Sequence, residues 1–266
     1  MLKDKLERIY LLYNRREYIN PDPLLFLYDY PDKKNREIAG FIAACLAYGR
    51  VEVIMETVAG ILCKLSPTPF DYIMTRTKKE MENDFKGFRY RFASEVHLVS
   101  LLWGIRDVII GFSSLETCFY EGMTPEDETI LSGLIFFFEQ MNKDREIGHL
   151  LADPQKKSAC KRSLLFLRWM VRKDQVDPGG WEKISPSQLI VPLDTHMHKI
   201  GMMLEFTRRK SADMKTAIEI TKGFKKILRH DPVKYDFCLT RFGLRRELDM
   251  DDLSRMFGQA PVRVEK

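Results

Sequence analysis

Apolar residues recur along most of this chain at the three- and four-residue spacing that is typical of amphipathic helices. The alternation of apolar and polar positions that indicates a strand is scarce, and residues 188–191 are its best example. We therefore predict an all-α fold. The predicted helical segments cover residues 1–18, 36–48, 51–65, 95–112, 124–138, 143–151, 158–172, 195–206, 213–226 and 232–243.

Several predicted helices begin after a residue whose side chain can accept hydrogen bonds from the first helical turn. Asn35 stands before one of them, and residues 124–127 combine a threonine cap, a proline and two acids. Asp194 stands before another, and either Ser211 or Asp213 can cap the next. These residues set the predicted helix boundaries.

The chain has 266 residues and is 45% hydrophobic, which allows one large domain or two lobes that share a cleft. No linker stands out, so we treat residues 1–266 as one helical unit. Candidate lobes are residues 36–140 and 141–250, preceded by N-terminal helices in residues 1–30. No apolar stretch approaches the roughly 18 residues of a membrane span, and the charged N-terminus lacks a secretion signal. We expect a cytoplasmic protein without membrane association.

Cysteine usage and net charge narrow the function classes. The five cysteines are scattered and contain no CxxC pair, which indicates free thiols in a reducing compartment. This pattern also excludes a closely spaced four-cysteine iron–sulfur motif. The formal net charge of +5 permits nucleic-acid binding but does not require it, so the distribution of the cations matters more than their sum.

The predicted helix that carries Lys161 has a cationic face. Taking 100° per residue, Leu165, Arg168 and Arg172 lie within about 40° of Lys161, and apolar residues fill the opposite arc. With Arg162 near its start, this stripe can track phosphates, or it can be the ordinary solvated face of an amphipathic helix. A positive charge at a helix start opposes the helix dipole, which favours a functional role for Lys161.

Asp194 reads as a helix cap, and a rigid capping carboxylate also suits the stabilisation of a nearby cation. Asp194, His196 and His198 invite a metal-site interpretation. On a helix the two imidazoles point about 200° apart and cannot share one ion, although on a strand they could. No second cluster of ligand spacing is present, so we expect no metal and no cofactor. His196 remains a candidate substrate-binding residue.

Three strings resemble those of a known family: Ser-Ala-Cys-Lys-Arg at 158–162, Phe-Leu-Arg-Trp-Met-Val-Arg at 166–172 and Pro-Leu-Asp-Thr-His at 192–196. With them the chain resembles the helix-hairpin-helix DNA glycosylase superfamily, and within it the archaeal 8-oxoguanine DNA glycosylase/lyase group. In that group an aspartate follows a helix-opening lysine at nearly the separation of Lys161 and Asp194. The same strings also resemble an uncharacterised bacterial family.

The resemblance implies a two-lobed helical fold with a cleft and base excision from double-stranded DNA that carries a damaged base. Lys161 would be the nucleophile and Asp194 its electrostatic partner, with accompanying AP lyase activity. Tyr48 and Arg50 fall where the superfamily places a polar interruption that lines the base pocket. No cofactor and no obligate protein partner are implied. The remaining substrate-binding candidates are Trp103, which can stack on a base or belong to the core, and Arg162, Arg168 and Arg172 as phosphate ligands.

Two departures from the superfamily pattern bear on DNA anchoring and on iron–sulfur chemistry. Residues 152–157 replace the usual Gly-rich hairpin, whose backbone N–H groups can approach a phosphate. The iron–sulfur cysteines are also absent, as they are in the archaeal group. A non-catalytic helical nucleic-acid-binding protein, a metal-dependent hydrolase and a helical scaffold remain alternative interpretations. Neither the lesion nor the presence of lyase activity follows from the sequence.

Overall fold

The computed structural model describes residues 1–245 and 247–258, and this part of the chain is helical almost throughout. The predicted all-α fold is confirmed. The helices are α1 (Leu2–Tyr13), α2 (Lys33–Leu46), α3 (Val51–Lys64), α4 (Pro69–Thr75), α5 (Lys78–Asp84), α6 (Glu95–Phe112), α7 (Leu115–Glu121), α8 (Leu131–Asn142), α9 (Lys161–Val171), α10 (Thr195–Met203), α11 (Met214–Ile227), α12 (Asp236–Leu244) and α13 (Met250–Phe257). Short 3₁₀ helices cover Arg16–Tyr18, Pro23–Asp29, Gly148–Leu150 and Pro186–Gln188, and β1 (Arg89–Tyr90) pairs with β2 (Ala93–Ser94).

Several predicted boundaries are displaced because side chains form local turns before the helix begins. Helix α8 starts at Leu131 instead of residue 124, since the Asp127 carboxylate accepts hydrogen bonds from Thr124 N at 2.7 Å and from Ser132 Oγ at 2.8 Å. The predicted helix over 143–151 is wrong apart from its short 3₁₀ segment. Helix α2 is capped by Asp32 rather than by Asn35.

The predicted strand at 188–191 is also wrong. The segment has no neighbouring strand in the described part of the chain, and Val191 N donates to the Thr221 hydroxyl at 3.0 Å instead. The two-stranded hairpin of β1 and β2 was not predicted, because a pair of two-residue strands is too short to show alternation. The alternation pattern therefore indicated a strand where none forms and missed the two short strands that do form.

Helix α2 lies at the centre of the core. Its last ten residues, from Glu37 to Leu46, are all buried, and it packs against α9 and the 3₁₀ helix Pro23–Asp29. The Phe41 ring lies 5.2 Å from the rings of Phe137 and Phe166, so α2, α8 and α9 share one aromatic cluster. Within α9 only Lys161, Arg162 and Leu165 are partly exposed, and the rest of the helix is buried.

The buried apolar residues from Leu6 to Leu253 form one continuous core. The division into candidate lobes at 36–140 and 141–250 stays a prediction. Of the helices in the described ranges, none is by itself long and apolar enough to cross a membrane, whereas the bent pair α6 and α7 meets that test jointly, by length and composition only.

Candidate active site

A cavity of about 1380 Å³ lies beside the start of α9 and is partly open to solvent. Its volume exceeds the roughly 300–1,000 Å³ of typical small-molecule pockets. Lys161 and Asp194 both line this cavity. The structure therefore brings together two residues that are far apart in the chain.

Lys161 Nζ lies 3.1 Å from Asp194 Oδ2. Lys161 is the first residue of α9, and it follows Cys160, whose left-handed backbone (φ 47°) and hydrogen bond to Ser158 Oγ delay the helix start by three residues relative to the prediction. The Lys161 side chain is 38% exposed and that of Asp194 is 14% exposed. A molecule in the cavity can therefore reach the Lys161 amine, while the Asp194 carboxylate is less accessible.

As predicted, Asp194 caps α10, and each of its two carboxylate oxygens has a different partner. Oδ1 accepts a hydrogen bond from Met197 N at 2.8 Å, and Oδ2 faces Lys161. Burial disfavours the charged form, but the Lys161 charge and the Met197 N–H outweigh it and lower the pKa of Asp194. The carboxylate is therefore ionised at neutral pH and fixed in position.

Arg162 and two aromatic rings form another wall of the cavity. The Arg162 guanidinium donates to the backbone carbonyls of Cys45 and His149 and lies 4.8 Å over the Tyr48 ring. The Tyr48 ring is in turn 5.0 Å from that of His149. Burial and the charges of Arg162 and Arg91 lower the pKa of His149, so its ring is neutral at pH 7. This wall therefore presents the flat rings of Tyr48 and His149 together with the fixed guanidinium of Arg162.

A family model described as "Protein of unknown function (DUF2400)" matches residues 22–245. The chain belongs to the DUF2400 family. This family's description assigns no activity, in agreement with the resemblance of the three strings to an uncharacterised family. No curated protein and no solved structure gives a significant match to the chain.

Two predicted phosphate ligands of this DUF2400 protein are buried. Arg168 is 3% exposed and Arg172 is 4% exposed, so the predicted cationic stripe on α9 is wrong for both. The helical wheel placed them on one face correctly, and Arg168 lines the cavity, but carboxylates from the loop after α9, the segment before α12 and α12 itself hold both guanidiniums. The carboxylates that pair with the two guanidiniums are Asp174, Asp177, Asp231 and Asp236.

Three further candidates lie outside the cavity lining. Arg50 is an exposed residue that precedes α3, and Trp103 is half-buried on α6 with Arg106 4.8 Å over its ring. His196 lies against α12, where a Cβ on Gly243 would come within 1.9 Å of its Nδ1. The structure assigns His196 to the packing of α10 on α12.

Three polar residues of the cavity lining were not predicted as site residues, namely Trp169, Asp236 and Arg241. Each has a buried atom without a hydrogen-bond partner: Trp169 Nε1, Asp236 Oδ1 and Arg241 Nε. No other buried side-chain nitrogen or oxygen in residues 1–245 and 247–258 lacks a partner. Buried polar groups are rarely left unpaired, so their clustering at one cavity indicates a site that is completed by a ligand or by water.

Metal ligation has no structural support in the described ranges, where no group of three or more His, Cys, Asp or Glu side chains is arranged to hold an ion. Acidic side chains, among them Asp153 and Glu52, line the cavity together with basic ones. Exposed cations on nearby segments are Arg50, Arg91, Lys156 and Lys157.

Proposed function

We propose that this DUF2400 protein is a DNA base-excision glycosylase of the helix-hairpin-helix type, with accompanying AP lyase activity. The observation that carries the proposal is the 3.1 Å contact between Lys161 Nζ and Asp194 Oδ2 in a cavity of about 1380 Å³. The resemblance to the archaeal 8-oxoguanine glycosylase/lyase group supports the same pair of roles.

In this proposal a damaged nucleotide leaves the base stack and enters the cavity. Lys161 first gives up its proton to solvent, and its amine then attacks the anomeric carbon C1′ while the bond between C1′ and the base breaks. The positive charge that develops on the sugar is stabilised by the Asp194 carboxylate, which its helix-cap hydrogen bond holds in place. The covalent intermediate opens to a Schiff base, from which β-elimination nicks the strand.

The wall formed by Tyr48, Arg162 and His149 is the proposed contact for the extruded nucleotide. Aromatic rings and guanidinium planes stack on nucleobases of any sequence. Because Arg162 is anchored by two backbone carbonyls, it keeps its place over Tyr48 without help from the substrate. A neutral His149 adds a ring surface without an additional positive charge.

Phosphate anchoring is reassigned from the buried Arg168 and Arg172 to exposed cations beside the cavity. Lys156 and Lys157 lie in the 152–157 segment, which stands where the superfamily has its Gly-rich hairpin. The Lys156 side chain is 80% exposed and lines the cavity. Flexible lysines there would replace the backbone N–H groups that a Gly-rich turn supplies.

The test uses a duplex with a single abasic site and a duplex with 8-oxoguanine, each incubated with the protein and sodium borohydride. Wild-type protein should form a covalent adduct with both, and Lys161→Gln should form none. Lys79→Gln is the matched control, because this lysine is exposed on α5, lies outside the cavity lining and should leave the trapped fraction unchanged. Undiminished trapping by Lys161→Gln would remove the proposed nucleophile. Salt-dependent duplex binding without any trapping would instead support a non-catalytic nucleic-acid-binding protein.

A further inference from the structure

A second buried carboxyl group lies beside the Lys161–Asp194 pair. Asp236 is the first residue of α12, is 3% exposed and lines the same cavity. Its Oδ2 accepts a hydrogen bond from Arg168 Nη1 at 2.5 Å, whereas its Oδ1 has no partner. One oxygen of Asp236 is therefore fixed, and the other is buried without a partner in a residue that lines the cavity.

The surroundings of Asp236 contain more carboxyl groups than cations. Arg168 and Arg172 are the guanidiniums of this buried cluster, and the four carboxyl groups Asp174, Asp177, Asp231 and Asp236 share them. Asp177 and Asp236 are buried, whereas Asp174 and Asp231 are half-buried, and burial of a carboxyl group favours the protonated form. Burial accordingly raises the pKa of Asp177 to about 6 and also raises the pKa values of Asp231 and Asp236. The pKa of Asp174 is lowered, because the charge of Arg172 and backbone N–H groups outweigh its burial.

The two carboxyl groups near Lys161 have opposite electrostatic environments. Burial raises the pKa of Asp236 against the opposing charges of Arg168 and Lys161, and the negative charge of Asp194 adds to the increase. Asp194 has a lowered pKa, because Lys161 and a backbone N–H outweigh its burial. Enzymes that break glycosidic bonds use this combination, in which one carboxyl group is an acid and the other a charged stabiliser.

Building on the proposed function, we infer that Asp236 is the general acid that protonates the departing base. Lys161 Nζ forms a bond to C1′, and the bond between C1′ and the base nitrogen breaks with its electron pair going to the base. The proton on Asp236 Oδ1 passes to the base, which leaves as a neutral molecule. The secondary ammonium formed on Lys161 then returns a proton to the Asp236 carboxylate, so the acid is restored before the sugar ring opens.

The main test compares Asp236→Asn with wild-type protein on two duplexes. Release of 8-oxoguanine should fall by about 100-fold or more, as expected when a general acid is removed. Borohydride trapping on the abasic duplex should stay close to wild type, because no base leaves in that reaction. Asp231→Asn is the matched control, since Asp231 belongs to the same buried cluster but does not line the cavity. It should change neither reaction.

A binding measurement separates acid catalysis from base recognition. The probe is a duplex whose 8-oxoguanine nucleotide carries a 2′-fluorine, which prevents cleavage. If Asp236 only donates a proton in the transition state, Asp236→Asn should bind this duplex with wild-type affinity. A loss of affinity as large as the loss of base release would overturn the inference and make Asp236 a recognition residue.

A pH profile of the wild-type protein tests the same inference without a variant and serves if Asp236→Asn does not fold. Release of 8-oxoguanine should decline with rising pH as the acid loses its proton, while trapping of the abasic duplex should not decline over the same range. Parallel profiles for the two reactions would contradict the role of Asp236. Wild-type protein that traps no abasic DNA overturns the proposed function itself. Trapping of the abasic duplex without any release of 8-oxoguanine overturns only the role of Asp236 as general acid, because no base then leaves for it to protonate.

Discussion

Asp194 links local helix formation to the proposed chemistry through its two oxygens. Replacing it with asparagine keeps an acceptor for Met197 N, since asparagine and aspartate are comparably good helix caps. Asp194→Asn should therefore unfold in urea at a denaturant concentration close to wild type, while its trapping rate on abasic DNA falls by at least tenfold. Asp194→Ala should lose the same activity and in addition about 1 kcal/mol of stability, because the cap is lost. An asparagine variant that traps at the wild-type rate would reduce Asp194 to a structural cap.

Arg172 shows why a residue's place on a helical wheel does not determine its role. The wheel gave the correct face, but the exposure of that face depends on Asp174, Asp177 and Asp231, which come from segments outside α9. Removing one partner of a buried ion-pair network leaves uncompensated charge, so Arg172→Gln should lower the free energy of unfolding by about 3–5 kcal/mol. Lys173→Gln, a change at the exposed neighbouring residue, should shift it by less than about 0.5 kcal/mol. A stable Arg172→Gln protein with weakened DNA binding would restore the phosphate-binding interpretation.

Helix α2 carries a buried acid where it meets α7 and the Trp181 side chain. Glu37 accepts hydrogen bonds from Leu115 N at 3.2 Å and from Trp181 Nε1 at 2.9 Å. Burial nevertheless raises the pKa of Glu37 from its ordinary value of 4.5 to about 7. A raised pKa means that the folded state binds this proton more tightly than the unfolded chain does. The stabilisation is therefore present at low pH and is lost as the pH rises from about 4.5 to 7.

Glu37→Gln isolates this contribution, because its amide does not titrate. The difference in unfolding free energy, wild type minus variant, should decrease by up to about 3 kcal/mol between pH 4.5 and 7. Urea unfolding at a series of pH values measures it directly. A difference that is constant with pH would show that Glu37 has the same pKa in the folded and unfolded chains.

The extent of helix α9 was predictable from the sequence, but the contacts made at its start were not. The apolar arc and the Lys161 position follow from the spacing of residues, and the cap at Asp194 follows from its residue type. The contact between the two depends on how α9, α10 and α12 pack, and only the family resemblance suggested it. Trp169 and Asp236 look like ordinary core and helix-start residues in the sequence, because a missing hydrogen-bond partner is a property of the tertiary structure.

The molecule as a whole combines a cavity of mixed charge with the exposed residues Lys156 and Lys157 beside it. If Lys156 and Lys157 contact phosphates, changing both to glutamine should reduce the slope of log K against log salt by about 2, since each phosphate contact contributes roughly 0.9. Trapping at saturating abasic DNA should be unchanged. Lys78→Gln with Lys79→Gln is the matched control on α5, where both lysines are exposed and lie outside the cavity lining. Equal slopes for the two double variants would exclude the 152–157 segment as the anchor.

Identification of the amino acid that bonds to the sugar tests the central claim most directly. Wild-type protein is incubated with abasic duplex and borohydride, digested with nuclease and protease, and its peptides are sequenced by mass spectrometry. The reduced sugar adduct should be found on Lys161, the amine that lies 3.1 Å from Asp194. An adduct on any other lysine, or no adduct at all, would contradict the assignment of Lys161 as the nucleophile.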